Sequence, residues 1–263
     1  MIVTLLTDFG TADYFVGAMK GALLSVNPAA QVVDITHGIP PHDIEAGAFT
    51  LLAAFEAFPA GTIHVAVVDP GVGSPRRPIV AIGGGHVFVG PDNGVFGYVF
   101  ERLGSFRVFH VTNEKYFRKE VSASFHGRDV FAPVAGALAL GVEPEEFGAE
   151  VTDFVRLAFA APVRREDGVL VGRVIHVDRF GNCITNISPR DFDAEEFKRG
   201  ARLRLEGSEV HNFRRFFADE SDAPGAPFAV WGSAGLLEIA VFRDSAARVL
   251  GVGRGAQVEI LQP

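Results

Sequence analysis

The sequence predicts an α/β protein: an N-terminal α/β domain with a largely parallel sheet, followed by a C-terminal antiparallel β-barrel. Three observations predict this. Apolar runs alternate with stretches of helical periodicity up to Phe159, the signature of strand–helix–strand units and right-handed crossovers. The chain then turns polar and turn-rich over 160–168, which reads as a linker. Beyond it short strands recur at close spacing, the pattern of a small barrel or sandwich. With 263 residues, 48% hydrophobic and 21% charged, the chain has material for packed cores and little tendency to disorder. The expected domains are 1–163 and 164–263.

Residues 2–6 read as a buried strand, and Thr7-Asp8-Phe9-Gly10 as a turn. A helix is expected from Asp13 to Val26, with Phe15, Val16, Met19, Leu23 and Val26 on one face and Asp13 in its first turn, where the helix dipole favours an acid. Asn27-Pro28 stops it. A strand over 31–35, a helix from Asp43 to Phe58 and a strand over 63–68 follow. Residues 79–82 and 86–89 form a hairpin around Gly83-Gly84-Gly85, whose glycines lack the spacing and the following helix of a phosphate loop. A short helix to Arg102, a strand over 107–110 and a helix over 130–140 complete the first domain, with His126 at that last helix's N-terminus. In the second, strands are expected at 169–177, 183–187, 201–206, 228–231, 236–241 and 257–261. No repeat, heptad or low-complexity tract interrupts the pattern.

Composition narrows the function. A net charge of -8 argues against a nucleic-acid backbone as partner. The single cysteine, Cys183, sits in an apolar run and reads as an inert buried thiol. The N-terminal segment lacks the basic and long apolar regions of a signal peptide, and no stretch reaches the roughly 20 apolar residues of a membrane span. The expectation is a cytoplasmic protein.

The stretch around which the chain is organised is Val65 to Arg77. Four apolar residues lead to Asp69. Pro70 then ends strand pairing, Gly71 and Gly73 permit a tight turn, and Arg76 is spaced to fold back on the carboxylate. A carboxylate at the C-terminal end of a buried strand, followed by a glycine-bearing loop, is where open α/β sheets place ligands. Asp8 and Asp178 also stand at strand ends. Asp178-Arg179-Phe180-Gly181-Asn182 presents Phe180 for stacking and Asn182 for reading a heterocycle edge, or else is a turn whose Asp and Asn cap their own backbone. Ser233-Ala234-Gly235 leaves room for a ligand or makes a turn. His37 and His42 lack a metal-ligand spacing, and no G-x-S-x-G elbow occurs. Neither a metal nor a cofactor is expected.

In order, Thr7-Asp8-Phe9-Gly10 with Asp13, Val68 to Ser74 with Arg76, Phe125-His126-Gly127-Arg128-Asp129, Asp178 to Asn182 with Thr185-Asn186-Ile187, and Ser233 to Ala240 closely resemble the S-adenosylmethionine hydroxide adenosyltransferases, homologues of fluorinating and chlorinating enzymes. The resemblance implies hydrolysis of S-adenosylmethionine to adenosine and methionine by a homotrimer, each site lying between one subunit's N-terminal domain and its neighbour's C-terminal domain. It implies that Asp69, Arg76 and His126 activate water and that Asp8 holds the ribose hydroxyls. It places Asp13, Asp178 and Ser233 near the methionine amine and carboxylate, and Phe180 and Asn182 at adenine. The fluorinating relatives carry tyrosine at Asp69 and Tyr-Ser at His126-Gly127, so this chain is expected to favour water over halide. They also carry an arginine where this chain has Ala234.

The implied chemistry is physically reasonable. A sulfonium leaves as a neutral thioether and needs no general acid. Arginine cannot act as a base. A general base, His126 or Asp69, is therefore expected to assist the attacking water, worth about 10²–10⁴-fold. Arg76 would orient Asp69 and hold the developing hydroxide. The rival readings are a halide-dependent relative and a non-catalytic module that binds adenosine or S-adenosylmethionine.

Overall fold

The computed structural model describes residues 1–219 and 225–262. They form two compact units, Met1–Ala158 and Phe159–Pro263.

The first unit is built on a six-stranded sheet: β1 (Ile2–Thr7), β2 (Gln31–Thr36), β3 (Ile63–Val67), β4 (Pro78–Gly83), β5 (His86–Pro91) and β6 (Phe106–His110), in the order β2-β1-β3-β5-β4-β6. The β2-β1, β1-β3 and β3-β5 pairs are parallel, and β4 is antiparallel to both its neighbours. Because side chains alternate across a strand, β1 and β3 feed two cores. Val3, Leu5, Val65 and Val67 pack with Met19 and Leu23 of α1 (Phe15–Val26) and with Val134 and Leu138 farther along the chain. Leu6 and Ala66 pack with Leu51 and Phe55 of α2 (Ile44–Phe55) and Val99 of α3 (Gly97–Leu103). The sheet is therefore covered on both faces, as a parallel sheet requires. Gly84 and Gly85, at φ 59° and 80°, make the two-residue turn of the β4–β5 hairpin.

Two expected helices differ in extent. α1 begins at Phe15, so Asp13 lies ahead of the helix and no acid occupies its first turn. α2 starts one residue late because the Asp43 side chain is its N-cap, accepting from the Ala46 N–H at 3.0 Å, and it stops at Phe55. The helix expected over 130–140 is preceded by a π-helical turn, Gly127–Phe131, which runs into α4 (Ala132–Leu138). His126 caps that turn's N-terminal end, in line with the sequence.

The second unit is an antiparallel sheet rolled towards a barrel: β7 (Val163–Arg164), β8 (Leu170–Val177), β9 (Cys183–Thr185), β10 (Arg202–Leu205), β11 (Ser208–Val210), β12 (Pro227–Trp231), β13 (Leu237–Val241) and β14 (Gln257–Leu261), in the order β11-β10-β14-β8-β9-β13-β12 with β7 against β8. A bulge between Val174 and His176 lets β8 pair with β14 on one side and β9 on the other. Past β11 the chain bridges to β12 at Phe213–Ala229, drawing the ends of the sheet together. Leu203, Leu237, Ile239, Val258 and Ile260 fill the interior. The stretch 160–168 is a correction to the linker reading. Its residues 163–164 form β7 and 165–168 the hairpin turn into β8, with Arg165 N–H donating to the Val169 carbonyl at 2.9 Å. Two short helices, α5 (Glu195–Lys198) and α6 (Ala246–Leu250), and strands β7 and β11 lie outside the expected set because each is too short to show a period.

Candidate active site

In the first unit, β1 lies between β2 and β3, so the chain leaves β1 towards one side of the sheet and returns on the other. Thr7 is opposite Val67 in parallel register. Asp8 and Asp69 therefore leave adjacent strands at the same, C-terminal end, the topological switch point where open α/β sheets bind ligands.

Asp8 is held by a loop across the sheet end. The His42 N–H donates to its Oδ2 at 2.8 Å, and His42 adopts φ 67°, a conformation rarely populated without a reason. Gly10 N–H donates to the His37 carbonyl at 2.8 Å, and the Thr7 hydroxyl meets His37 Nδ1 at 2.9 Å. Among the described residues Asp8 Oδ1 has no hydrogen-bond partner. Asp13 is exposed and ungrouped with any of these side chains.

Asp69, Arg76 and His126 come together. The loop after β3 turns twice, Val72 N–H to Asp69 carbonyl at 3.2 Å and Ser74 N–H to Gly71 carbonyl at 3.0 Å, which carries Arg76 back to the strand end. Asn93 fixes that end by donating from Nδ2 to the Val68 carbonyl at 2.8 Å; the sequence had shown only a turn there. Arg76 grips Asp69 bidentately, Nε to Oδ1 at 3.0 Å and Nη2 to Oδ2. The pair is nearly sealed, with side chains 8% and 4% exposed, and the guanidinium stacks over Phe131 at 5.2 Å. Arg76 Nη2 also lies 2.8 Å from His126 Nδ1.

That contact fixes the tautomer of His126. A guanidinium only donates, so Nδ1 must carry the lone pair and the ring is neutral with its proton on Nε2. Burial and the Arg76 charge lower the His126 pKa from its usual value, against weaker pulls from Asp69 and Asp129. Arg76 Nη1 is buried and has no partner among the described residues. A fully charged donor left unpaired beside a carboxylate is a place for a polar ligand atom.

The segment carrying His126 is placed by packing on either side. Phe125 meets Phe9 and Phe15 at 5.9 and 5.2 Å between centroids, joining it to the Asp8 turn and α1. Asp129 is fully buried, accepts from Ser122 N–H at 2.9 Å and Arg128 Nε at 2.7 Å, and so clamps the approach to His126. Sequence reasoning missed this role, although the consecutive Arg128-Asp129 was visible.

In the second unit the Asp178 turn caps itself. Oδ1 accepts from the N–H groups of Phe180 and Asn182 at 2.8 and 2.9 Å, and Oδ2 from Asn182 Nδ2 at 2.9 Å. Phe180 stands 77% exposed. Gly181 is obligatory, since a Cβ there would meet Ser245 Oγ at 2.0 Å. Asp178, Phe180, Asn182, Trp231, Ser233 and Glu238 border a cavity of about 700 Å³. Ser233 and Ala234 are exposed in the β12–β13 turn. Glu238 is a residue the sequence reading passed over; its one signal is an acid inside the apolar run of β13. Cys183 is buried, and desolvation followed by the Asp178 charge pushes its thiol up to about 11.

Comparison with known proteins covers both units. Residues 3–148 match the SAM hydroxide adenosyltransferase N-terminal domain and residues 172–259 the C-terminal domain of the same family. An (R)-S-adenosyl-L-methionine hydrolase from Thermus thermophilus is 39% identical over 98% of this chain and 99% of its own length. One from Methanocaldococcus jannaschii is 37% identical over 99% and 95%. A fluorinase from Nocardia brasiliensis is 28% identical over 98% and 96%. Among solved structures, an uncharacterized conserved protein from Thermotoga maritima superposes with a TM-score of 0.89 at 35% identity over the whole of both chains.

Proposed function

The chain belongs to the SAM hydroxide adenosyltransferase family, and on that premise we propose that it hydrolyses S-adenosyl-L-methionine to adenosine and L-methionine by in-line attack of water at C5′. The observation that carries this reading is the Asp69–Arg76–His126 cluster with its unpartnered buried Nη1. Water adds to C5′ as the C5′–S bond breaks. The electron pair leaves with sulfur, which becomes the neutral thioether of methionine, and one proton is released.

Asp69 is the proton acceptor in this scheme. His126 already uses its Nδ1 lone pair on Arg76, and Nε2–H can only donate. His126 thus holds Nη2 in place, Nη2 and Nε hold Asp69, and Nη1 donates to the attacking oxygen as charge develops on it. Asp8 Oδ1 receives the ribose hydroxyls, Phe180 stacks on adenine and Asn182 reads its edge, while Asp13, Asp178 and Ser233 lie towards the methionine half. Fixing water and carbon in line supplies much of the remaining rate.

A halide would have to shed its water beside a carboxylate only 4% exposed, a repulsion that favours neutral water. The working form in this reading is a homotrimer, each site formed by one subunit's N-terminal residues and its neighbour's C-terminal residues. It works in the cytoplasm, since the one buried cysteine requires no oxidising compartment. Among the described residues no helix is long and apolar enough to cross a membrane.

The test is chromatographic: purified protein with S-adenosyl-L-methionine at neutral pH, without added metal, is expected to yield adenosine and methionine one to one. Tight binding with no adenosine over hours overturns the hydrolase reading in favour of a binding module. Formation of 5′-chloro-5′-deoxyadenosine in raised chloride overturns it in favour of a halide-using enzyme. Sedimentation equilibrium is expected to give three times the subunit mass; a fully active monomer sinks the trimer.

A further inference from the structure

Glu238 lies on β13 between Leu237 and Ile239, both of which turn into the barrel core. Strand alternation sends Glu238 to the other face, where it borders the 700 Å³ cavity together with Asp178, Trp231 and Ser233. Its carboxylate lies against Gly232, so close that a Cβ on Gly232 would fall 1.7 Å from Oε1. The residue is 7% exposed. Among the described residues it has neither a hydrogen bond nor an ion-pair partner, and the charge of Asp178 repels it. Burial first, then Asp178, push its carboxyl pKa up from the ordinary value.

A carboxylate this buried is normally paired. Asp178 cannot take over the task of receiving a ligand cation cheaply, because three N–H groups of its own turn already occupy both its oxygens. Glu238 has its lone pairs unused and aimed into the same cavity. Three carboxylates, Asp178, Glu238 and Asp244, border the cavity against one cation, Arg243, and Asp244 is already paired with Arg248; the balance is negative, and the complement is a primary ammonium with three donors.

We propose that Glu238 is the substrate-binding carboxylate that receives the α-ammonium group of the methionine half of S-adenosyl-L-methionine. This rests on the hydrolase reading above for the identity of the ligand. Asp178 then shapes the turn that presents Phe180 and Asn182, and its charge adds to the attraction from behind. The Glu238 carboxylate occupies the space that a side chain at 232 would fill, so glycine there lets it sit in this position.

The experiment compares the full-length wild type with Glu238→Gln, using S-adenosyl-L-methionine and adenosine as probes; adenosine carries no ammonium. For Glu238→Gln the KM for S-adenosyl-L-methionine is expected to rise about 10- to 100-fold, the range of a hydrogen bond to a charged group, while kcat changes little and calorimetric affinity for adenosine is unchanged. Gly232→Ala, which displaces the carboxylate without removing it, is expected to act in the same direction and serves if Glu238→Gln fails to fold. An unchanged KM overturns the proposal, and so does a parallel loss of adenosine affinity, which would make Glu238 a reader of the base. A wild type that binds S-adenosyl-L-methionine calorimetrically without hydrolysing it overturns only the hydrolase reading, because the Glu238→Gln contrast is still measured by binding.

Discussion

Arg76 has five N–H donors and no lone pair, and that asymmetry assigns parts to its neighbours. Nδ1 of His126 must accept from it, so His126→Asn, whose amide oxygen can also accept, is expected to keep activity within about tenfold. Asp69→Asn removes the proposed base and is expected to lose about 10²–10⁴-fold in kcat. Steady-state assays of the two variants separate the roles; equal, large losses would return the base to His126. The sign of the pH dependence follows from the same contact. Protonating Nδ1 sets two donors against each other, and the His126 pKa is lowered, by desolvation and then by Arg76. Activity is therefore expected to be present throughout the neutral range and to fall only as pH drops through a value below the ordinary 6.5. A profile that rises as His126 protonates would contradict this arrangement.

The Asp69–Arg76–His126 cluster depends on how the loop after β3 meets the segment before the π-helical turn. Gly73, at φ 78°, is where they touch: a Cβ there would lie 2.3 Å from the Ala123 carbonyl oxygen. Gly73→Ala must adopt a strained backbone and push the two segments apart, with Arg76 on one and His126 on the other. The expected result is a loss of about 1–3 kcal/mol of stability, read by urea denaturation, and a fall in kcat. A variant that loses stability but retains full kcat would show that the loop contact does not set the Arg76–His126 geometry. The π-helical turn also belongs to this scale. A π turn tends to mark functional positions, and here it starts directly after His126. No spacing in the sequence announces it, because residues 127–138 are buried on nearly every side and show no amphipathic face for an extra residue to shift.

Across the molecule, polar chemistry has a second buried focus, distinct from the site. His64 of β3 meets the Thr4 hydroxyl at 2.8 Å and His86 at 3.2 Å, among Phe55, Phe58 and Phe88. Burial, then the His86 charge, brings the His64 pKa down from 6.5 to about 3. The unfolded chain therefore binds a proton that the folded chain refuses between those values. Stability is fully present above pH 6.5 and is lost as pH falls towards 3, by up to ~1.4 kcal/mol per pH unit for this one group. Thermal melts of the wild type and His64→Gln are expected to converge as pH drops through that window. Parallel curves would show that His64 does not drive the acid limb.

How much of this was legible in the sequence depends on the range of the interaction. The six main strands of the barrel, α1 and α2, the glycine hairpin and the placement of Asp8 and Asp69 at strand ends follow from local periodicity and turn chemistry, which act over a few residues and leave a pattern. The folding of Arg76 back onto Asp69 was readable too, because seven residues with two glycines can close only so far apart. The start of α1 at Phe15, the two-residue strand β7 within 160–168 and the buried partners of Asp129 were not. Each depends on hydrogen bonding and burial that no apolar period announces. The sequence by itself determined the alternation of elements, the two-unit composition and the residue types able to carry the reaction. Only the tertiary structure decided that His126 Nδ1 faces a donor on Arg76, that Asp178 is committed to its own turn, and that Glu238 is buried with no partner among the described residues, because hydrogen-bond direction and desolvation exist only once distant groups share a common space.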